Sequence, residues 1–368
     1  MKSIFLRGGA LLALTLMVSP MANAGEVVIG SIMPLSGPAA TYGQSFTSVV
    51  AVARDALKAE GIVLKVIAED GAADVTTSLA AYNKLVRVDK VQAIVHSVSP
   101  VVLALGPLGE RDKVVLINSM AADPSIAKIG PFTFSTIPSY AVESADAARY
   151  AYAKGARRVA GIYQDTASGK AGWDVFRPTF EALGGKIVGE EAYKAGATEY
   201  RAQLTRTVSF EPDWVYLASY AAETGRLLAQ ANRMGLTQKF KFIGNAAAAN
   251  AETLELGGAG AENFIHASWP FDPENGTALM KKFGAEYKAK NNTMPSVYSA
   301  TSYDALIVLA RAIDKGAKTG AEIQDSLMKK LGKYEGVTGT WSFDDKGQVG
   351  LKTGFTQIKD GKRHLVTN

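Results

Sequence analysis

The sequence predicts an α/β protein made of two lobes, each built on a doubly wound parallel sheet. Short apolar runs rich in β-branched residues alternate with amphipathic helical stretches, which is typical of parallel strands joined by right-handed helical crossovers. The alternation runs once through the first part of the chain, begins again at residue 157, and stops after residue 269. At 368 residues the chain is also longer than one hydrophobic core usually supports.

The first set has four predicted strands. The run EVVIGSIMPL is apolar nearly throughout, as expected of a strand that is buried on both faces. Apolar residues then recur at helical spacing over 41–58, and Asp74 predicts the N-cap of a helix that ends near Val88. The predicted strands of this set are residues 26–35, 62–70, 91–97 and 114–119.

The second set has five predicted strands, and helical segments follow it. The clearest helix of this set runs from Glu223 to Leu236. Two β segments with Asp-Lys-Gly and Asp-Gly-Lys turns end the chain, at 338–348 and 354–366. The predicted strands are residues 157–164, 186–193, 213–219, 239–245 and 262–269, and the later helices are 276–290, 299–315 and 321–331.

The amino-terminal segment predicts a secretory signal peptide. Lys2 and Arg7 precede an apolar stretch over 10–18, and Ala22-Asn23-Ala24 supplies the small-residue pattern of a cleavage site. The apolar stretch is shorter than the roughly 20 residues needed to span a bilayer. We therefore expect cleavage after Ala24 and a soluble, exported chain of 368 − 24 = 344 residues.

The composition argues against several classes of function. The chain has no cysteine, which excludes disulfides, thiolate metal sites and cysteine nucleophiles. Its formal charge is +5, or 5 − 2 = +3 without Lys2 and Arg7, and no basic stripe indicates a nucleic-acid partner. Motifs of serine hydrolases, nucleotide-binding loops and zinc proteases are absent, and the three histidines are scattered. We expect no catalytic residues, no metal site and no cofactor.

Candidate binding residues lie in the loops after the strands, because ligands of open parallel sheets bind at the carboxyl ends of the strands. These loops are rich in serine, alanine and glycine, and helices begin just after them, so that free N–H groups there favour an anion such as a carboxylate. Ordinary helix capping also explains each loop by itself. His96 ends the third strand and is either a ligand contact or a hydrogen-bonded structural residue. The loops are residues 34–44, 96–100, 118–125, 164–172, 219–225 and 244–250.

Taken in order, these segments resemble the branched-chain amino acid type of periplasmic binding protein, the soluble receptor of an ABC importer. The resemblance implies the type I periplasmic binding fold, with two lobes joined by a three-strand hinge that closes on the ligand. It also implies a periplasmic location, a monomer, and a permease of the inner membrane that binds the closed form. The lobes would comprise 25–139 with 269–339, and 140–268 with 340–368. The segments that carry the resemblance are 29–44, 162–172, 181–200, 212–236, 299–314 and 334–348.

The resemblance also implies ligand-binding positions. Three residues match the family's pattern, namely Ser99, which would hold the ligand carboxylate, Tyr42 in the first loop, and Tyr220, which would close over the ligand. The backbone N–H groups around Ser119, Met120 and Ala121 would bind the same carboxylate as Ser99. Three further positions depart from the pattern, since Ala122, Ser168 and Ala246 stand where the family has a threonine, a tyrosine and the acid that pairs with the ligand's ammonium.

These departures favour a ligand without an ammonium group. No acid lies anywhere in 244–250, and a buried ammonium without a counter-charge costs several kcal/mol. We therefore expect an aromatic carboxylate of the benzoate or phenylpropenoate type, with Tyr42, Tyr220 and Trp269 as aromatic walls. If Glu223 or Asp165 pairs with the ammonium instead, the ligand is an amino acid. A ligand-sensing module for a signalling partner is the alternative from another class of function.

Overall fold

The computed structural model describes residues 26–37, 39–248, 251–269 and 271–366, and it leaves the side chains of Ala167, Ser168 and Ala251 undescribed. The predicted signal peptide and its cleavage site after Ala24 lie outside the described residues. Within these ranges, no helix is both long enough and apolar enough to cross a membrane.

The described residues form strands and helices in regular alternation. The strands are β1 (Glu26–Met33), β2 (Val63–Asp70), β3 (Ala93–His96), β4 (Val115–Asn118), β5 (Thr133–Ser135), β6 (Arg158–Gln164), β7 (Lys186–Tyr193), β8 (Trp214–Ala218), β9 (Lys241–Gly244), β10 (Ile265–Ser268), β11 (Tyr334–Gly336), β12 (Gly339–Trp341), β13 (Gly354–Lys359) and β14 (Lys362–Val366). The helices are α1 (Ala40–Ala59), α2 (Val75–Asn83), α3 (Ser99–Asp112), α4 (Tyr140–Ala153), α5 (Ala167–Ala182), α6 (Arg201–Ser209), α7 (Ala221–Arg233), α8 (Ala251–Gly257), α9 (Ala278–Asn291), α10 (Val297–Asp314) and α11 (Gly320–Asp325).

Two sheets organise the molecule and confirm the predicted α/β class. The first sheet has the strand order β2-β1-β3-β4-β5, with all neighbouring strands parallel. The second has the order β14-β13-β10-β9-β8-β6-β7, in which β13 and β14 are antiparallel to their neighbours. The strand order reverses between β1 and β3 in the first sheet and between β6 and β8 in the second. A doubly wound sheet leaves a crevice for a ligand at such a reversal.

Apolar helix faces cover both sides of the first sheet. On one side Phe46 of α1 and Leu306 of α10 pack against strand residues such as Ile29. On the other side α2 and α3 supply Tyr82 and Leu105. Burial on both faces explains why the strand sequences are apolar throughout instead of alternating with polar residues.

In the first lobe, the N-cap of α2 agrees with the sequence prediction, whereas the end of that helix and strand β5 differ from it. Asp74 caps α2 as predicted, since its Oδ1 accepts a hydrogen bond of 2.8 Å from the N–H of Thr77. Regular α-helix ends at Asn83, and a single π-helical turn continues to Val88. Strand β5 was not predicted, because three residues after a 3₁₀ turn are too few to show a strand's alternation.

The chain crosses between the lobes three times, and the third crossing comes later than predicted. The first crossing lies between β5 and α4, and the second lies between β10 and α9. Trp341, Val349 and Leu351 still belong to the core of the first lobe, and Gln348 pairs with Ser135 at the edge of the first sheet. The predicted boundary at 339/340 is therefore placed too early, because the β pattern of 338–348 does not tell which sheet the segment joins.

Candidate functional site

The carboxyl ends of strands from both sheets lead into one region between the lobes. Tyr220 of the second lobe lies close enough to Tyr42 and Tyr298 of the first lobe to raise the pKa of both phenols. Glu143, at the start of α4 in the second lobe, acts on the pKa of Tyr298 in the same way. The two lobes therefore approach each other at the ends of β1, β8 and β9, and this region is the candidate binding cleft.

The amino-terminal end of α3 follows β3, the strand beside β1, at the same edge of the first sheet. Val98 precedes the helix with φ 71°, in the left-handed region that a β-branched residue rarely adopts. This turn starts the helix directly at Ser99. Among the described residues we find no acceptor for the N–H groups of Ser99 and Val101, and the Ser99 hydroxyl has no partner either. Pro100 has no N–H, so Ser99 and Val101 are the donors that this helix end presents to an anion.

The loop after β4 offers fewer donors than predicted. The N–H of Ser119 donates to the carbonyl of His96 at 3.1 Å, and the N–H groups of Met120 and Ala121 both donate to Oδ1 of Asn118, at 3.2 and 2.7 Å. The prediction that these three N–H groups hold a ligand carboxylate is therefore corrected. The Asn118 side chain closes its own turn, as asparagine often does at a strand end.

Ser119 and Ala122 have separate surroundings. The Ser119 hydroxyl is buried and bonds to the Ser302 hydroxyl at 3.0 Å, so it faces α10. Ala122 is buried, and its carbonyl accepts from the N–H of Tyr140 at 2.8 Å. We find no acceptor for the Ala122 N–H within the described residues. That N–H group is therefore a candidate donor for a ligand.

Aromatic side chains form a wall of the cleft. The Tyr42 and Tyr298 rings meet edge to face at 5.2 Å between centroids. Trp269 lies 6.3 Å from the Tyr298 ring and is buried, and its indole N–H has no acceptor among the described residues. We call Tyr42, Trp269 and Tyr298 the aromatic wall. Tyr220 is 39% exposed and approaches from the second lobe.

Tyr298 was not singled out from the sequence. It lies one residue before the predicted helix at 299–315, whereas α10 begins at Val297 after the N-cap Ser296. Burial, together with the nearby Tyr42, Glu143 and Tyr220, raises the pKa of its hydroxyl, so Tyr298 is a neutral phenol.

Ala246 lies in the cleft corner of the second lobe, against a buried acid. It begins a 3₁₀ turn after β9, and its N–H donates to Oε2 of Glu143 at 3.2 Å. Glu143 is fully buried, and its other oxygen, Oε1, has no hydrogen-bond partner among the described residues. Burial raises the pKa of Glu143 to about 8; the Ala246 N–H opposes this increase and Asp146 adds to it.

Glu143 is the functional candidate that the sequence prediction missed. The search for a substitute acid covered the loops after the strands, whereas Glu143 lies in the first turn of a helix, where an acid is usually an ordinary helix-dipole partner. A signal was nevertheless present, because Glu143 falls on the same face of α4 as the buried Ala147, Tyr150 and Ala151. An acid on the apolar stripe of an amphipathic helix requires a partner.

The two acids considered as substitutes are placed differently. Glu223 already accepts hydrogen bonds from the Gln164 side chain at 3.3 Å and from the N–H of Gly196 at 3.4 Å. Asp165 is exposed at the start of the next loop. The side chain of Ser168 lies outside the described residues, although its backbone belongs to α5.

His96 matches neither of its two expected roles. Its ring is completely buried in the first lobe, so that it has no surface for a ligand in this structure. Neither ring nitrogen has a hydrogen-bond partner among the described residues. Burial lowers the pKa of His96 to about 3, and the ring is therefore neutral. No group of three or more acids and histidines in the described ranges could hold a metal ion.

Comparison with known proteins agrees with this architecture. A family model described as "Periplasmic binding protein" matches residues 26–363. The Leucine-, isoleucine-, valine-, threonine-, and alanine-binding protein of Pseudomonas aeruginosa is 26% identical over 337 residues, which cover 89% of this chain and 88% of that protein. The chain is thus similar to amino acid receptors along nearly its whole length.

Solved structures show the same fold with different ligands. The branched-chain amino acid transporter substrate binding protein of Streptococcus pneumoniae, in complex with isoleucine, is 26% identical, with a TM-score of 0.80 over 94% of this chain and 100% of that chain. A solute binding protein of R. palustris, in complex with 4-hydroxybenzoate, is 21% identical, with a TM-score of 0.80 over 94% and 96% of the two chains. The second likeness concerns the fold alone.

Proposed function

Because the chain belongs to the periplasmic binding protein family, as a solute-binding receptor of an ABC importer, we propose that it captures a small carboxylate between its two lobes. The lobes close on the ligand, and a permease in the membrane takes the ligand from the closed form. The observation that carries this proposal is the approach of Tyr220 and Glu143 of the second lobe to Tyr298 of the first lobe. The unused N–H donors of α3 support it, because α3 follows β3, the strand next to β1.

The carboxylate lies at the amino-terminal end of α3. Ser99 supplies a hydroxyl and an N–H group, and Val101 and Ala122 supply one N–H group each. The positive end of the helix dipole adds to their attraction for an anion. Because Met120 and Ala121 donate to Asn118, the carboxylate depends more strongly on Ser99 than the sequence predicted.

The body of the ligand lies against the aromatic wall. Tyr42, Trp269 and Tyr298 give it an apolar surface, and Tyr220 covers it from the second lobe. Contact between groups of both lobes encloses the ligand and separates it from solvent, which is how hinge closure couples binding to a change of shape.

Two ligand classes fit this cleft. An aromatic acid without an ammonium group is favoured by the aromatic wall and by the small side chain of Ala246. An amino acid is favoured by the similarity to amino acid receptors and by the buried carboxyl group of Glu143 against Ala246. The absence of an acid from 244–250 therefore no longer argues against an ammonium group.

A thermal-shift screen of ligand-stripped protein tests the proposal. One panel holds neutral amino acids, and the other holds aromatic and aliphatic monocarboxylates. A ligand at 100 times Kd adds about 2.7 kcal/mol to the stability of the native state, which corresponds to a rise in Tm of roughly 5–10 °C for lobes of this size.

Ser99→Ala tests the position of the carboxylate. The loss of a hydrogen bond to a charged group should weaken binding about 10- to 100-fold for every acid that binds. Ser209→Ala, at an exposed position of α6, is the matched control and should bind as the native protein does. If no member of either panel raises Tm, the proposal is wrong, and if Ser99→Ala binds normally, the carboxylate lies elsewhere.

A further inference from the structure

We propose that Glu143 determines the specificity of this cleft by binding a protonated amine of the ligand through Oε1, and that its carboxyl group loses a proton when the ligand binds. The inference rests on the proposed capture of a carboxylate between the lobes. It names the second group of the ligand, a primary ammonium, and so places the ligand among the amino acids.

The first argument is the unequal bonding of the two carboxyl oxygens. Oε2 is fixed by the N–H of Ala246 at 3.2 Å, whereas Oε1 is equally buried and has no partner among the described residues. Buried polar atoms nearly always have a partner, and Oε1 is the atom of this carboxyl group that is left to accept from a ligand.

The second argument is the position of the carboxyl group. Ala246 begins the turn directly after β9, at the end of the strand where the cleft lies. From the other lobe, Tyr298 is within the electrostatic influence of Glu143, and its ring packs edge to face against Tyr42 in the aromatic wall. A cation bound at Oε1 would thus lie on the side of the cleft that the aromatic wall faces.

The third argument is the charge around Glu143. On its own helix the nearest charged group is Asp146, which is also an acid. Tyr216 of β8 and Tyr298 of α10 are neutral phenols held protonated by burial. No lysine or arginine of the described residues pairs with Glu143, so a cation that compensates its charge has to come from the ligand.

The proton balance follows from this environment. Burial keeps Glu143 largely protonated at neutral pH, since it raises the pKa of this carboxyl group to about 8. An ammonium at Oε1 favours the carboxylate, so the O–H bond breaks and its proton passes to the buffer. A ligand without an amine gives no such stabilisation and leaves the proton on Glu143.

Isothermal titration calorimetry measures this proton directly. The probes are L-leucine, L-isoleucine, L-threonine and L-alanine on one side, and benzoate and 4-hydroxybenzoate on the other. Each is titrated at pH 7 in buffers of different ionisation enthalpy, so that the dependence of the observed heat on the buffer counts the protons released. We expect an amino acid to bind with the release of about 0.9 proton, given a pKa near 8.

Two variants extend the test. Glu143→Gln keeps the shape and the acceptor for the Ala246 N–H, and it should weaken amino acid binding at least about 30-fold and abolish proton release. Glu181→Gln, at the exposed far end of α5, is the matched control and should change neither. Proton release by the native protein does not depend on whether a variant folds.

The outcomes separate the two proposals. Amino acid binding without proton release, or unchanged binding by Glu143→Gln, overturns the role of Glu143 and leaves the receptor function intact. Binding of benzoate or 4-hydroxybenzoate without binding of any amino acid likewise overturns the role of Glu143 and leaves the receptor function intact. If neither these probes nor any member of the two thermal-shift panels binds, the proposed function fails, and the role of Glu143 fails with it.

Discussion

Replacing Glu143 with glutamine should stabilise the empty protein, and the gain should grow with pH. An acid whose pKa is raised in the folded state keeps its proton there while the unfolded chain has already lost it. The native protein therefore loses stability from this group as pH rises from about 4.5, the ordinary value, to about 8, the folded value. Glutamine does not titrate and escapes this loss.

The size of the effect follows from the pKa. Each unit of pKa difference corresponds to about 1.36 kcal/mol. Between pH 4.5 and pH 7 the gain should thus reach about 2.5 × 1.36 ≈ 3.4 kcal/mol, and it should level off above pH 8. Full burial of the side chain means that solvent does not screen the carboxyl group.

Urea unfolding at pH 5, 6, 7 and 8 measures this difference. The separation between the midpoints of Glu143→Gln and the native protein should widen at each step, while Glu181→Gln should follow the native protein throughout. A separation that stays constant over this range would show that Glu143 is ionised in the empty cleft, and the reasoning from burial would be refuted.

Three further predictions concern other buried groups. Asp304→Ala should destabilise the protein by about 3–5 kcal/mol in urea unfolding, because the buried carboxyl group accepts four hydrogen bonds, two of them from Thr338, that would lose their acceptor. Acidification from pH 6.5 to about 4 should lower the midpoint of urea unfolding, since burial lowers the pKa of His96 to about 3 and of His266 to about 4, and the unfolded chain binds protons first. His96→Gln/His266→Gln should lose this fall and show the rise that Glu143 contributes on acidification, and a fall as large as that of the native protein would contradict the role of the rings. Tyr298→Ala should weaken ligand binding about 2- to 10-fold by calorimetry, because it removes a ring of the aromatic wall. Tyr298→Phe keeps the ring and should bind within about twofold of the native protein. Equal losses in both variants would mean that the hydroxyl matters and the ring does not.

The architecture could be predicted from the sequence because it depends on local patterns. Strands buried on both faces produce apolar runs such as EVVIGSIM, and the helices between them have a clear spacing. The family resemblance is confirmed by a match over 26–363. The third crossing was wrong because Trp341 and Leu351 belong to the first core through contacts that are distant in sequence.

The candidate site was harder to predict, because its chemistry depends on which groups meet in space. The sequence prediction did not allow for the local turn in which the Asn118 side chain takes up the N–H groups of Met120 and Ala121. The pairing of Ala246 with Glu143 spans 103 positions, so that an alanine in one loop reveals nothing of an acid in a distant helix. The ligand class inferred from that loop alone stays a prediction.

The late third crossing has a consequence for the biosynthesis of the chain. The second sheet begins with β6 and is interrupted after β10 by a long segment that belongs to the first lobe, and it resumes with β13 and β14. Until the ribosome has synthesised that segment and the two strands after it, β10 has no neighbour on one side and presents an open edge. The second lobe can therefore complete its sheet only after most of the first lobe has been made, whereas all five strands of the first sheet are available much earlier.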